Sequence, residues 1–278
     1  MEKIRVIDCV PYNGEPIALF RLEYLWDVVD EFVMVEARQT HAGDDKGGLY
    51  LDKNAPALER FKSKITRLVI DAFPAIPADH PSLAATTKSY RKPDAWFREK
   101  YQRNIAGDFL RRRGDQSGFI IMACDVDEIP RREIVAVLPE RYETLHLGLK
   151  FDMALFYYSS DWITRDRWRV PFAINDKALE QHSLDEFRLM PIIKKAARDA
   201  GWHFSYFMTD DDMLRKIKSS AHTEHNKPEY CNLEWVRHCK NTGVHIFGAP
   251  KESDCIRYTG TDLPENLRAF EVEHGIRS

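Results

Sequence analysis

Asp125-Val126-Asp127-Glu128-Ile129-Pro130 directly follows Phe119 to Cys124 (FIIMAC), a continuous apolar run. Such a run reads as a central strand buried on both faces, so three carboxylates stand at an abrupt strand end. In an open α/β sheet, ligands sit beyond the carboxyl ends of the strands. Side chains two apart in an extended segment point the same way, so Asp125 and Asp127 converge. Two converging carboxylates repel each other unless a positive charge lies between them. A hard divalent cation with oxygen ligands supplies that charge. The cation can then bridge to phosphate oxygens and neutralise charge on a leaving diphosphate. The structural alternative is an acidic N-cap for a following helix, a role Glu128 or Asp127 would fill alone.

The rest of the first half reads as the scaffold for that strand end. Strand and helix patterns alternate as in an open α/β sheet. Ile4 to Val10 predicts a strand ending at the Asn13-Gly14 turn, and Glu15 to Trp26 a helix with Leu19, Leu22 and Leu25-Trp26 at helical spacing. Phe32 to Val35 and Arg67 to Ile70 predict further strands, with a short helix over Pro56 to Ile65 between them. Ala72 to Lys92 is proline-rich and aperiodic, a long surface loop, and loops of that length are commonly functional or disordered. Asp94 predicts an N-cap for a helix to about Arg113, with Phe97, Tyr101, Ile105 and Phe109 on one face.

Beyond Pro130 the pattern changes. Tyr142 to Ser159 reads as antiparallel strands or a hairpin, Gly201 to Met208 (GWHFSYFM) as a strand, and Asp211 to Ser219 and Tyr230 to Cys239 as helices. Residues 1–130 are therefore expected to form a nucleotide-binding α/β half. Residues 131–278 should form an acceptor-binding and catalytic half within the same compact unit.

Several blocks in this order resemble glycosyltransferase family 17. They are Val6-Ile7-Asp8-Cys9, Asn13-Gly14-Glu15, Arg21-Leu22-Glu23, Asp27-Val28-Val29-Asp30, Phe32 to Glu36 and Thr40-His41-Ala42-Gly43. Trp96, Glu99, Gln102-Arg103, the DVDEIP block and Gly201-Trp202-His203-Phe204-Ser205 continue the series. Tyr142 to Glu186, which should shape the acceptor site, lies outside these blocks. The resemblance implies a GT-A-like α/β fold with a mixed central sheet and a UDP-sugar donor, UDP-GlcNAc in the known activity. It also implies Mn2+ (or Mg2+), a glycan acceptor and inversion at the anomeric carbon.

The resemblance also suggests roles. GT-A enzymes often take a third metal ligand, frequently histidine, from the C-terminal half, which points to His203, with His222 as the rival. A lone histidine between aromatics is more commonly a core residue. Inversion needs a general base for the acceptor hydroxyl. Asp211, in the acidic run Asp210-Asp211-Asp212, falls where related enzymes carry an acidic residue, and Glu224 is second choice; helix capping is the bland role of the run. Asn13, Glu15 and Glu36 end the first two strands, where a GT-A sheet receives the base and ribose, although Asn13-Gly14 is also a plain turn signal. Arg103 would reach the diphosphate or be a surface cation. Trp202 would stack on an acceptor sugar or pack beside the sheet.

Composition narrows the field. A net charge of -3 supplies no field for nucleic acid or an anionic membrane, and Arg111-Arg112-Arg113 suits a helix C-terminus. No apolar stretch approaches the roughly 20 residues of a membrane span. No secretory signal precedes the first strand, and five cysteines without CxxC spacing argue against a disulfide framework. A cytoplasmic setting is expected. P-loop and GxGxxG motifs are absent, which leaves kinase and dehydrogenase readings without support. A metal-dependent phosphohydrolase or nuclease, or a non-catalytic carbohydrate-binding module, are the alternatives to a transferase.

Overall fold

The computed structural model describes residues 3–76, 93–114, 118–189, 193–248 and 254–277. The remainder of the proline-rich segment expected as a loop, 77–92, lies outside the described residues. β1 (Arg5–Pro11), β2 (Glu31–Ala37), β3 (Ile65–Ile70) and β4 (Phe119–Ala123) form a parallel group in the order β3-β2-β1-β4. Helices cover both faces of it, as the continuous apolar runs require. Alternation sorts each strand between two cores: Val6, Val10, Phe32, Met34, Ile120 and Met122 face one side, Ile7, Cys9, Val33, Val35, Phe119 and Ile121 the other. Helix α1 (Ile17–Leu25) packs on the first side through Ile17, Leu22 and Leu25. The short helices α2 (Tyr50–Lys53) and α3 (Ala55–Leu58) also contribute there through Leu51 and Leu58. The long α4 (Pro93–Arg113) packs on the second side through Ala106 and Leu110 and ends in its three arginines.

The same sheet continues into the second half. β5 (Glu128–Pro130) leaves the acidic turn, followed by α5 (Arg132–Ala136), β6 (Leu149–Tyr157), β7 (Trp162–Trp168) and β8 (Phe172–Asn175). β8 pairs antiparallel with both β4 and β6 and so joins the halves. After α6 (Asp176–Leu179) and α7 (Leu184–Leu189), β9 (Ala196–Ser205) pairs parallel to β6 and antiparallel to β5. The chain continues through α8 (Asp210–Ser219), α9 (Leu233–Thr242), β10 (Ile256–Arg257) and α10 (Leu267–Glu273). A parallel group of strands continuing into a mixed parallel and antiparallel set is the GT-A-like α/β fold with a mixed central sheet. Among the described residues no helix is long and apolar enough to cross a membrane, and all five cysteines are free.

Three local expectations are corrected. Pro56 to Ile65 is not one helix: α3 passes into a 3-10 turn over Glu59–Lys64. Tyr142 to Leu147 belongs to another 3-10 segment, Pro139–Leu147, and only from Leu149 does the expected strand begin. The GWHFSYFM strand starts at Ala196 and stops at Ser205, because Tyr206 takes a positive φ of 60°.

Gly201 explains the glycine of the GWH block. A Cβ there would meet the Ile129 carbonyl oxygen at 2.2 Å and Pro130 Cα at 2.7 Å, both backbone atoms of β5. Gly201→Ala should therefore separate β9 from β5 and cost about 1–3 kcal/mol, the usual range for overpacking. Chemical denaturation of the variant reads this directly, and an unchanged midpoint would contradict the close approach.

Candidate active site

The carboxyl ends of β1, β2 and β4 open into a cleft of about 900 Å³, and the parallel β6–β9 pair delivers Tyr157, Ser205 and Tyr206 to its opposite wall. Asp125 and Asp127 both line it. Their loop is fixed from beneath. On α1, the fully buried Arg21 holds Asp8 of β1 with two bonds, Nη2 to Oδ1 at 2.6 Å and Nε to Oδ2 at 2.7 Å. Its remaining nitrogen, Nη1, donates to the carbonyl oxygens of Glu128 (2.6 Å) and Asp125 (3.3 Å). Glu128, wholly buried, accepts from the Asp125 amide at 2.6 Å and from Trp168 Nε1 at 2.5 Å. It ties the turn together and caps no helix.

Each aspartate meets cations. Asp125 accepts from Arg103 Nη1 at 2.7 Å and from Arg188 Nη2 at 2.6 Å, and Arg188 also pairs with Glu128. Asp127 accepts from Lys216 Nζ at 2.8 Å and stands 3.5 Å from His203 Nε2. Burial opposes ionisation of both carboxyls, yet the neighbouring cations outweigh it and hold both well below the usual carboxylate range. Both are therefore charged at neutral pH.

Asp127 and His203 stand at a spacing that one divalent ion would bridge, whereas Asp125, Asp127 and His203 do not offer three ligand atoms within 4.8 Å of one another. Two ligands bound to one cation at about 2.1 Å lie about 3.0–3.4 Å apart, close to the Asp127–His203 separation. His203 Nδ1 is buried with no hydrogen-bond partner, and the ring packs against Trp168 at 4.7 Å. Asp125 keeps spare lone pairs beyond its two arginine bonds, since a carboxylate offers about four acceptor positions.

The family model for glycosyltransferase family 17 matches residues 1–267. The chain belongs to that family. Among curated proteins no match is found. One solved structure with which the chain shares similarity is described as a glucose-1-phosphate thymidylyltransferase from Bacillus anthracis in complex with a sucrose. It is 8% identical, with 72% of this chain and 88% of that chain covered and a TM-score of 0.36, too distant to bear on activity.

Against this family-17 cleft, the sequence-derived candidates divide. Asn13, Glu15, Arg103, Asp125, Asp127, His203 and His222 all line it. Glu15 accepts from the Asn13 amide at 2.8 Å, and burial, partly offset by Lys216, raises its carboxyl. Glu36 does not reach the cleft. It is buried and accepts from the Tyr50 and Leu51 amides at the start of α2 and from Lys46, which fixes the Lys46 side of the wall. Trp202 is also misplaced for an acceptor: only 2% exposed, it packs among Tyr24, Phe204 and Arg131. Its side chain takes the face of β9 opposite to His203, as strand alternation dictates.

Asp211 is exposed and lies outside the cleft, in a separate depression with Asp44, Leu214 and Arg215. Among its neighbours, Asp210 pairs with Lys240 and Arg237, and Thr209 caps α8. Glu224 sits behind the wall, its Oε1 2.8 Å from His222 Nδ1.

Arg188, Lys216, Trp168 and Asp185 escaped sequence reasoning. Arg188 sits on a six-residue helix whose last carbonyls are held by Lys150: its Nζ donates to Phe187 and Arg188 oxygens at 3.0 Å each and to Val170 at 3.1 Å. Burial and the nearby Arg188 charge lower the Lys150 ammonium to about 8. The one available signal is physical: two neighbouring buried carboxylates need cations, and here Arg188 and Lys216 supply them as well as Arg103.

Proposed function

We propose that this family-17 protein transfers a sugar, GlcNAc as the family implies, from a UDP-sugar to a carbohydrate hydroxyl with inversion, in a Mn2+-dependent manner. The observation that carries this reading is the charged cluster beyond the β4 end: Asp127 facing His203 and Lys216, and Asp125 beside it held by Arg103 and Arg188. Asp127 and His203 would hold the metal, with Asp125 joining through its free lone pairs. When bound, the ion supplies charge neutralisation for the departing diphosphate. Arg103, Arg188 and Lys216 would orient the same phosphates, and the burial of the two arginines strengthens their contacts. Asn13 and Glu15 would receive the nucleoside at the β1 end.

A general base must come within hydrogen-bond reach of the acceptor, which an exposed Asp211 outside the cleft does not. Asp185, on α7, lines the cleft. Burial raises its carboxyl, only partly offset by Lys100 and Arg103, the direction that makes a carboxylate a better proton acceptor. Asp185→Asn should lower kcat by at least ~10²-fold with donor affinity kept. Asp211→Asn should leave kcat within about twofold of the parent, as an exposed group distant from chemistry should. Steady-state transfer assays with donor titrations decide between them, and the reverse pattern would restore Asp211.

The reading as a whole is tested by thermal stabilisation with a panel of nucleotide sugars, with and without Mn2+. A ligand at 100 times its Kd adds about 2.7 kcal/mol. A UDP-sugar that stabilises only with Mn2+ is expected; indifference to every nucleotide sugar would remove the donor assignment.

A further inference from the structure

The cleft wall holds a second group of ligating atoms that the donor chemistry does not use. His222, Glu224 and His225 lie on or beside the 3-10 turn Thr223–His225, and one ligand atom from each falls within 4.8 Å of the others. Among the described residues no other set of three histidine, cysteine or acidic side chains meets that condition. Glu224 Oε1 stands 2.8 Å from His222 Nδ1 and 4.0 Å from His225 Nε2. With bonds of about 2.1 Å, neighbouring ligands on one ion lie about 3.0–3.4 Å apart, so small rotations bring these three onto a common centre.

Two further observations favour an ion there. Glu224 Oε2 is buried with no hydrogen-bond donor, a costly condition for a carboxylate oxygen unless a positive charge meets it. Both imidazoles also pack on aromatic rings. His225 stacks on Phe247 at 3.8 Å and 7°, and His222 meets the Trp96 ring edge-on at 4.7 Å. Packing of this kind narrows the range of ring orientations and so lowers the entropy lost on binding a metal.

We infer that His222, Glu224 and His225 form a second metal site on the cleft wall, separate from the Asp127–His203 pair and suited to a divalent transition ion. Two imidazoles and one carboxylate select zinc-like ions over magnesium or calcium. Three protein ligands leave a coordination position open. Because His222 and His225 line the cleft, that position faces incoming oxygen ligands.

Titration of the metal-stripped protein with Co2+ alone tests this, with bound metal measured by equilibrium dialysis and its visible absorption recorded. One equivalent should survive Asp127→Asn and disappear in His225→Ala. His222→Gln serves as a second variant if His225→Ala melts early. This result supports the site even if Asp127 and His203 bind no metal. Co2+ binding unaffected by both histidine variants would overturn the inference. So would loss of all Co2+ in Asp127→Asn, since that would mean a single shared ion.

Discussion

Asp127→Asn is expected to abolish Mn2+-dependent UDP binding and to lower transfer by at least ~10³-fold, the equivalent of about 4 kcal/mol of transition-state stabilisation. The amide keeps the shape of the side chain but removes the charge that faces His203 and Lys216. Lys216 then remains in the cleft without its bonded carboxylate, so anions entering the site still meet positive charge while the proposed metal site loses an oxygen ligand. Residual, metal-independent nucleotide binding is therefore expected alongside the loss of activity. The fold should persist, because Asp127 lies in the turn between β4 and β5 and its side-chain partners, Lys216 and His203, line the cleft. Melting curves, Mn2+ titration and transfer assays on one preparation separate these effects. A variant that binds Mn2+ and UDP as the parent does would remove Asp127 from the metal site.

The second large effect is structural. Arg21→Met should destabilise the protein by about 3–5 kcal/mol, the typical cost of breaking a buried ion pair from one side. Asp8, 0% exposed, would lose its bidentate partner and be left without a counter-charge. At about 2–4 °C per kcal/mol, the melting temperature should fall by roughly 10 °C. The double variant Asp8→Leu/Arg21→Met removes both charges and should recover much of that stability. It should not recover transfer, because the Asp125 and Glu128 carbonyls still lack the donor that fixes the acidic turn. Stability restored together with activity would show that the pair supports the fold alone, and a single variant melting like the parent would show that it supports neither.

The parallel half was legible in the sequence because its inner strands β1, β2 and β4 are buried on both faces and read as mostly apolar runs, with β3 partly exposed at the sheet edge. The acidic turn followed from the same logic, since β4 could end there only at solvent or at a site. The second half was harder to read. Tyr142 to Leu147 carries strand-like aromatics yet coils into a 3-10 segment: Tyr142 donates to Asp176, and Asn175 Nδ2 to the Tyr142 carbonyl, contacts set by partners distant in sequence. A strand end suggests a ligand role for Glu36, and an aromatic beside a motif suggests either a sugar platform or a packing residue for Trp202. Each had a nearer use, Glu36 capping α2 and Trp202 filling the core.

By itself the sequence determined the α/β class, the position of the Asp125–Asp127 turn and the family resemblance, because strand period and motif order are local properties. Only the tertiary structure decided which cations answer those carboxylates. Arg188 and Lys216 lie 63 and 89 residues away in sequence, each on a helix where it reads as an ordinary surface charge. Electrostatic pairing depends on distance in space, and the pairing of β5 and β6 with β9 and of β4 with β8 sets that distance.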